Sequence, residues 1–312
     1  MTHDRHARQF AEEQHEEGRW GTRSSATHNP ILRFFWNTIS FKRQGVHILA
    51  KRSSPAWRGL DLGCGNGAYS VWFVGQCPCT LIAADWSLQA LVQMPTIKGK
   101  RILRVCADAR LLPFREEVFD FFFTIDTLGH ITNVEKALDE ALRVTKPHSP
   151  FFIHSECNDH LRRWPDRALT KALGRDHLAQ LDGHWELHSS AEVYKALLSR
   201  FRVEAFFSPA GLLGWLLGYP EKYMRAFREC SRYLLVLVTG FFAAVKRTPV
   251  LGAVLRLANA LTNRAELFLG IVGGGSCFAF GETLSSRSKP GETSVRDSAN
   301  RIEAPGRAPS QA

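Results

Sequence analysis

Residues 61–67 read Asp-Leu-Gly-Cys-Gly-Asn-Gly, and no other run in the chain limits its fold so tightly. A short, mostly apolar stretch, Trp57 to Leu60, precedes it. Ala68-Tyr69-Ser70-Val71-Trp72-Phe73-Val74, which suits a helix, follows it. A strand, a glycine turn and a helix in that order make a site for a nucleotide-like ligand. The glycines let the backbone approach, and the helix start offers N–H groups that have no intrahelical partner. Asp61 stands two residues before the first glycine, at the strand end. A carboxylate there repels a pyrophosphate and attracts a cation, so the pattern points to a positively charged ligand that carries an adenosine.

The chain beyond alternates strand and helix signals. Leu81–Asp85 reads as a buried strand ending on an acid, and Ser87–Met94 as a helix with Ser87 as its N-cap. Arg101–Cys106 is strand-like and leads into Asp108-Ala109. Phe119–Ile125 is a strongly apolar strand, Val134–Val144 an amphipathic helix that stops near Pro147, and Phe151–His154 a further strand. A helix near 190–200, a strand near 201–207 and a last strand over Ser276–Gly281 complete the series. Continuous apolar strands separated by helices predict an α/β fold, a doubly wound and mostly parallel sheet covered on both faces. Ligands of such sheets sit at the carboxyl ends of the strands, so Asp61, Asp85 and Asp108 converge on one pocket. Asp85 is placed to accept from ribose hydroxyls and Asp108 from the exocyclic amine of adenine, while Ala109 offers a backbone N–H.

The ordered series resembles the class I S-adenosylmethionine-dependent methyltransferases. The resemblance rests on Asp61-Leu62-Gly63-Cys64-Gly65-Asn66-Gly67, Ala84-Asp85-Trp86-Ser87, Ala107-Asp108-Ala109 with Leu112-Pro113-Phe114, Phe119-Asp120, and Ala141-Leu142-Arg143-Val144-Thr145-Lys146-Pro147. It covers roughly residues 57–156, with weaker agreement to 207. It departs at His148-Ser149-Pro150, where the family usually has Gly-Gly, a turn that bears little on the cofactor. The resemblance implies a seven-stranded Rossmann-like sheet with a helical insertion before the last strand. It also implies S-adenosyl-L-methionine as cofactor, held by Asp61, Gly63, Cys64, Gly65, Gly67, Asp85, Trp86, Asp108, Ala109 and Asp126. A nicotinamide enzyme is the competing reading, since Gly63, Gly65 and Ala68 fit G-x-G-x-x-A with Asp85 about twenty residues on. Asp61 beside the turn argues against it.

Methyl transfer from a sulfonium needs positioning above all, and a base only where the acceptor proton has a high pKa. Candidates follow the fourth and fifth strands: Asp126, Thr127 and His130, then His154 and Glu156, of which His130, His154 and Glu156 are the expected catalytic groups. His184 and His188 stand four apart in Gly183-His184-Trp185-Glu186-Leu187-His188, but no third ligand is evident beside them, so an ordinary loop and no metal are expected. Ile125-Asp126-Thr127-Leu128 lacks the Pro-Pro-aromatic motif of nucleobase amine methyltransferases, and the lone Pro78-Cys79 lies in the wrong place for a cytosine C5 enzyme. The acceptor is therefore expected to be a small molecule or lipid-like, methylated at O or N. A non-catalytic S-adenosylmethionine-binding module and an RNA-modifying enzyme are the alternatives.

Residues 1–28 are polar and mixed in charge and expected to be mobile. Residues 29–283 form the expected methyltransferase domain. The tail 284–312, rich in Ser, Pro, Gly and Arg, is expected to be disordered. Residues 209–275 are an unusual insertion, divided by Pro209, Pro220 and Pro249. Its 221–232 piece spaces Lys222, Arg225, Arg228 and Arg232 along a basic stripe, and Tyr233–Val245 is apolar for thirteen residues, short of the ~20 that cross a bilayer. This segment reads either as a helical cap over the acceptor pocket with its basic face solvated or, with a formal net charge of +10, as a peripheral contact with an anionic membrane, at the inner face of a cytoplasmic location; nucleic acid is disfavoured. Seven cysteines without a Cys-x-x-Cys pair read as free thiols, and the charged N-terminus shows no apolar signal-peptide core. The oligomeric state is open.

Overall fold

The computed structural model describes residues 12–13, 40–99, 101–162, 164–176, 179, 183–184, 187–209, 217, 220–269 and 274–284. Most of 1–28, part of the insertion and nearly all of the tail 284–312 lie outside these residues. Seven strands, β1 (Arg58–Leu62), β2 (Thr80–Asp85), β3 (Arg101–Cys106), β4 (Phe121–Ile125), β5 (Pro150–Glu156), β6 (Phe201–Phe207) and β7 (Ser276–Thr283), form one sheet in the order β3-β2-β1-β4-β5-β7-β6. The pairs from β3 to β5 are parallel, and β7 runs antiparallel to both neighbours. The strand order reverses between β1 and β4. The expected doubly wound, mostly parallel sheet is thus present, with its switch point beside the glycine motif.

The strands are apolar on both faces because helices cover both. On one side α1 (Phe41–Arg52) and α2 (Ala68–Gln76) bury Val46, Leu49, Phe73 and Val74 against Phe121, Phe123 and Phe152. Between β2 and β3 lies α3 (Leu88–Gln93). On the opposite face α4 (Val134–Val144) packs Leu138, Ala141 and Val144 on Leu60, Phe122 and Ile153. Phe122 stacks at 5.6 Å on Phe151 and stands 5.7 Å from Phe201, tying β4, β5 and β6 together. Gly45 of α1 marks a close approach: a Cβ there would fall 2.2 Å from the Phe152 ring.

Several boundaries follow the sequence closely, α4 at both ends. β4 begins two residues later than its apolar run suggests. The Asp120 carboxylate instead accepts from Arg58 N at 2.8 Å and Lys146 Nζ at 2.6 Å, so the Phe119-Asp120 step ties neighbouring elements rather than extending the ladder.

The remaining described helices are α5 (Trp164–Leu173), α6 (Ser190–Leu198), α7 (Pro220–Glu229), α8 (Tyr233–Arg247) and α9 (Pro249–Phe268). A capping box at Ser189 and Glu192 starts α6, whose Val193 and Leu197 join the α4 face of the core. The last three helices belong to the insertion. Tyr223 of α7 donates to Asp166 of α5 at 2.7 Å in a small cluster with Leu169 and Ala226. The basic stripe is shorter than its spacing implies: α7 ends at Glu229, Ser231 turns with φ 55°, and Arg232 caps α8. Among the described residues no single helix is long and apolar enough to cross a membrane, though α8 and α9 together reach that composition and are bent by 112°. Arg264 of α9 lies 4.8 Å over the Phe41 ring and anchors the insertion to the start of α1.

Replacing Phe122 by Ala removes the ring shared by three strands and is expected to cost about 3–5 kcal/mol in urea unfolding. Leu111→Ala, at a site 73% exposed, is expected to stay within about 0.5 kcal/mol.

Candidate functional site

The glycine turn is built for close approach. Gly63, Gly65 and Gly67 have φ of 72°, 52° and 76°, in the left-handed region that favours glycine. Gly63 N and Cys64 N both donate to Ala84 O, at 2.8 and 3.1 Å, which pins the turn to β2. A Cβ on Gly63 would lie 2.0 Å from Thr127, whose Oγ1 is 3.1 Å from Gly63 O. Gly67 caps α2 with no side-chain hydrogen bond, so the first-turn N–H groups receive no cap from it.

Four acidic side chains end or follow the central strands, and each is held differently. Asp61 is buried in β1 and accepts from Ser70 Oγ at 2.5 Å. Burial pushes its carboxyl up to about 7, against the Ser70 hydrogen bond and with help from Asp85. Asp85 accepts from Gly65 N at 2.7 Å and Ser87 N at 2.9 Å. Burial raises its carboxyl while these N–H groups oppose the shift. Asp126, at the left-handed residue closing β4 (φ 59°), lies between Lys42 Nζ at 2.6 Å and His154 Nδ1 at 2.9 Å. Burial alone would raise this carboxyl; Lys42 and the adjoining His154 imidazole outweigh it and hold it well below the usual range. Glu156 ends β5, with His184 Nε2 3.2 Å from its Oε2. Burial and the Asp126 charge would raise it, but His184 and His130 bring it down to about 2.

The other expected residues sort by distance from this cluster. Asp108 is engaged by Arg110, whose guanidinium reaches its carboxylate at 2.7 Å and whose N–H donates at 2.8 Å. Ala109 packs at the edge of the core, and Trp86 O accepts from the Cys106 thiol at 3.5 Å. The Cys64 thiol is raised well above its ordinary value by burial and the neighbouring Asp85 and Asp61 charges, so it stays protonated. His130 closes the short 3₁₀ turn Leu128–His130, its ring 4.5 Å from that of His184. The loop spacing pairs His184 with His188, but the structure groups His184 with His130 and Glu156 instead. The backbone carbonyl of His188 accepts from Asn158 N at 3.0 Å.

Two participants went unremarked in the sequence. Lys42 stands 84 residues from Asp126 in an ordinary basic run. The Glu12 carboxylate accepts from Ser87 Oγ at 2.7 Å and from Leu88 N and Gln89 N at 3.2 Å, covering the start of α3 beside Asp85.

Because the folded Asp126 pKa is depressed, its charge stabilises the fold above the ordinary carboxylate pKa of about 4, and this contribution is lost as pH falls through the folded value. Asp126→Asn, which tolerates the same left-handed backbone, is expected to cost about 1–3 kcal/mol at pH 7. The gap to wild type should close below about pH 4 in urea titrations.

A family model described as "Methyltransferase domain" matches residues 60–153. The tRNA (carboxymethyluridine(34)-5-O)-methyltransferase of Arabidopsis thaliana is 40% identical over 92 residues, 28% of this chain and 21% of that protein. The demethylmenaquinone methyltransferase of Roseiflexus castenholzii is 35% identical over 91 residues, covering 28% and 38%. The sterol 4-C-methyltransferase strm-1 of Caenorhabditis elegans is 32% identical over 145 residues, covering 44% and 42%. The chain thus spans less than half the length of these curated relatives. Among solved structures, a geranyl diphosphate methyltransferase aligns with a TM-score of 0.49 at 13% identity, over 77% of this chain and 76% of that one. The strand order, the glycine turn and the acids beside it agree with the family match, and residues 60–153 form a domain of the class I S-adenosylmethionine-dependent methyltransferases.

Proposed function

We propose that this protein transfers a methyl group from S-adenosylmethionine to an oxygen or nitrogen of a lipid-like acceptor at an anionic membrane surface. The cofactor supplies a methyl group already activated on a sulfonium sulfur. The chain's residues fit it: Asp61 offers a carboxylate to a cation, the uncapped start of α2 offers N–H donors to an anionic end, and Asp85 offers acceptors to hydroxyls. With the methyl group so activated, the remaining task is to position the acceptor and take its proton. His130 and His154, beyond β4 and at the end of β5, are the groups proposed for that role, His154 through its pairing with Asp126.

The observation that carries the acceptor class is the outer face of α8 and α9. Tyr233, Leu234, Leu237, Phe241, Val250, Leu251, Val254 and Phe268 are all exposed, while only a few residues of these helices, such as Ala243 and Leu255, turn inward. Large exposed apolar side chains gathered on one helix pair mark a contact surface. Arg232 and Arg247 stand at the two ends of α8 and Arg225 and Arg228 on the preceding helix, all exposed. Apolar side chains flanked by cations suit the headgroup boundary of an anionic leaflet, and the 112° bend favours lying in one leaflet over spanning two. Arg264 joins this hairpin to α1, which carries Lys42 of the site. Two of the similar proteins are named for demethylmenaquinone and sterol, and one for tRNA.

Sedimentation with phosphatidylcholine–phosphatidylglycerol vesicles tests the surface. Wild type should pellet with them, Leu237→Asp/Phe241→Asp should stay in the supernatant, and Arg225→Glu/Arg228→Glu should bind less. Radiolabelled methyl transfer into a membrane extract tests the acceptor. Label in the organic phase supports the proposal, and label in RNA, or equal partitioning of all three proteins, overturns it. The cofactor end has its own signature. With the Asp61 carboxyl near 7, its ionised fraction rises about tenfold between pH 6 and pH 8. The affinity for S-adenosylmethionine should rise with it, by up to the same factor, relative to Asp61→Asn. Neutral adenosine should show no such difference.

A further inference from the structure

Three side chains from separate elements meet at the carboxyl ends of β4 and β5. His130 closes the 3₁₀ turn, Glu156 ends β5, and His184 comes from the segment before α6. One ligand-type atom from each lies within 4.8 Å of the others. We propose that these residues form a site for a divalent first-row transition ion, held by two imidazoles and one carboxylate with further positions open to a small oxygen or nitrogen ligand. The inference rests on the geometry of the three residues; with an ion in place both ring nitrogens of His130 are engaged, and the proton-accepting role proposed above falls to His154 alone.

The distances suit an ion placed among the side chains. Two ligand atoms each about 2.1 Å from a metal, at an angle of 90–110°, stand roughly 3.0–3.4 Å apart. His184 Nε2 and Glu156 Oε2 are separated by 3.2 Å. Glu156 Oε2 is buried and has no well-formed hydrogen bond among the described residues. An imidazole bound through nitrogen has its ring centre about 3.2 Å from the ion, so two such rings at a right angle have centres about 4.5 Å apart. The His130 and His184 centroids are 4.5 Å apart, with their planes tilted by 33°.

The surroundings orient these ligands. His130 Nδ1 lies 3.2 Å from the carbonyl of Gly183 and donates to it, which places the lone pair of the neutral ring on Nε2. A second-sphere hydrogen bond of this type fixes tautomer and ring plane for metal ligation. Residue 129 must be small for His184 to come in: a Cβ on Gly129 would lie 2.9 Å from His184 Cδ2. The His184 side chain, 4% exposed, is well shielded.

Charge points the same way. Asp126 is already balanced by Lys42 and His154, whereas the partners of Glu156 are two imidazoles. A single dication between the three side chains satisfies both nitrogens and the carboxylate. Two nitrogens and one carboxylate suit zinc, iron or manganese better than magnesium or calcium, which prefer all-oxygen sets.

The full chain, stripped with chelator, is titrated with Co2+ as a visible-absorption probe and with Zn2+ by calorimetry. One equivalent of Co2+, displaced by Zn2+ and not by millimolar Mg2+, is expected. Glu156→Gln and His184→Asn should each weaken Zn2+ binding at least tenfold while S-adenosylhomocysteine still binds, and His188→Asn should leave Zn2+ binding unchanged. Absence of stoichiometric binding, or undiminished binding in both site variants, overturns the proposal. Because either variant can lose its fold, anomalous scattering from Zn2+-soaked wild-type crystals gives a second measure. A peak between His130, Glu156 and His184 supports the site, and a peak only elsewhere, or none, refutes it. Failure of cofactor binding in wild type would count against the methyltransferase reading and leave this test intact.

Discussion

The architecture turns on burying carboxylates at one edge of a parallel sheet. Asp61, Asp85, Asp126 and Glu156 end or follow four strands whose remaining side chains are largely apolar. Removing such groups from water is costly unless each charge is met. The fold meets them in four ways: a hydroxyl and a raised pKa for Asp61, backbone N–H groups for Asp85, a lysine and a histidine for Asp126, and two imidazoles for Glu156. A phenylalanine-rich sheet packed on both faces holds these devices in register. The acids of β1 and β2 and those of β4 and β5 therefore lie along the same carboxyl edge, each held by a different set of partners.

Much of this was legible in the chain, because the motif residues are also the residues that end the strands. A glycine turn after β1, an aspartate at the β2 terminus and Ser87 as an N-cap are local signals, and the structure realises each where it was read. What escaped was non-local. Nothing around Lys42 separates it from neighbouring basic residues; its role exists only because α1 brings it to a partner 84 positions away. Spacing offers only His188 as a companion for His184, in what reads as an ordinary loop, whereas its neighbours in the structure come from two other elements. The basic stripe was overdrawn because periodicity does not register the left-handed turn at Ser231.

The insertion answers a different demand from the sheet. Its α7 earns its place through Tyr223 and the small cluster with α5, while α8 and much of α9 leave large apolar side chains outward. A domain that needed only a roof over its site could turn those residues inward, as α4 does with Leu138 and Val144. Retaining an oily exterior risks self-association, a risk offset when the surface has a regular partner.

The bent pair α8–α9 also bears on how turnover scales. Were the hairpin seated in a leaflet, as proposed, encounters between enzyme and a lipid-like acceptor would take place in two dimensions. Velocity would then follow the fraction of acceptor among its neighbouring lipids, and adding inert lipid would slow the reaction although nothing in the bulk had changed.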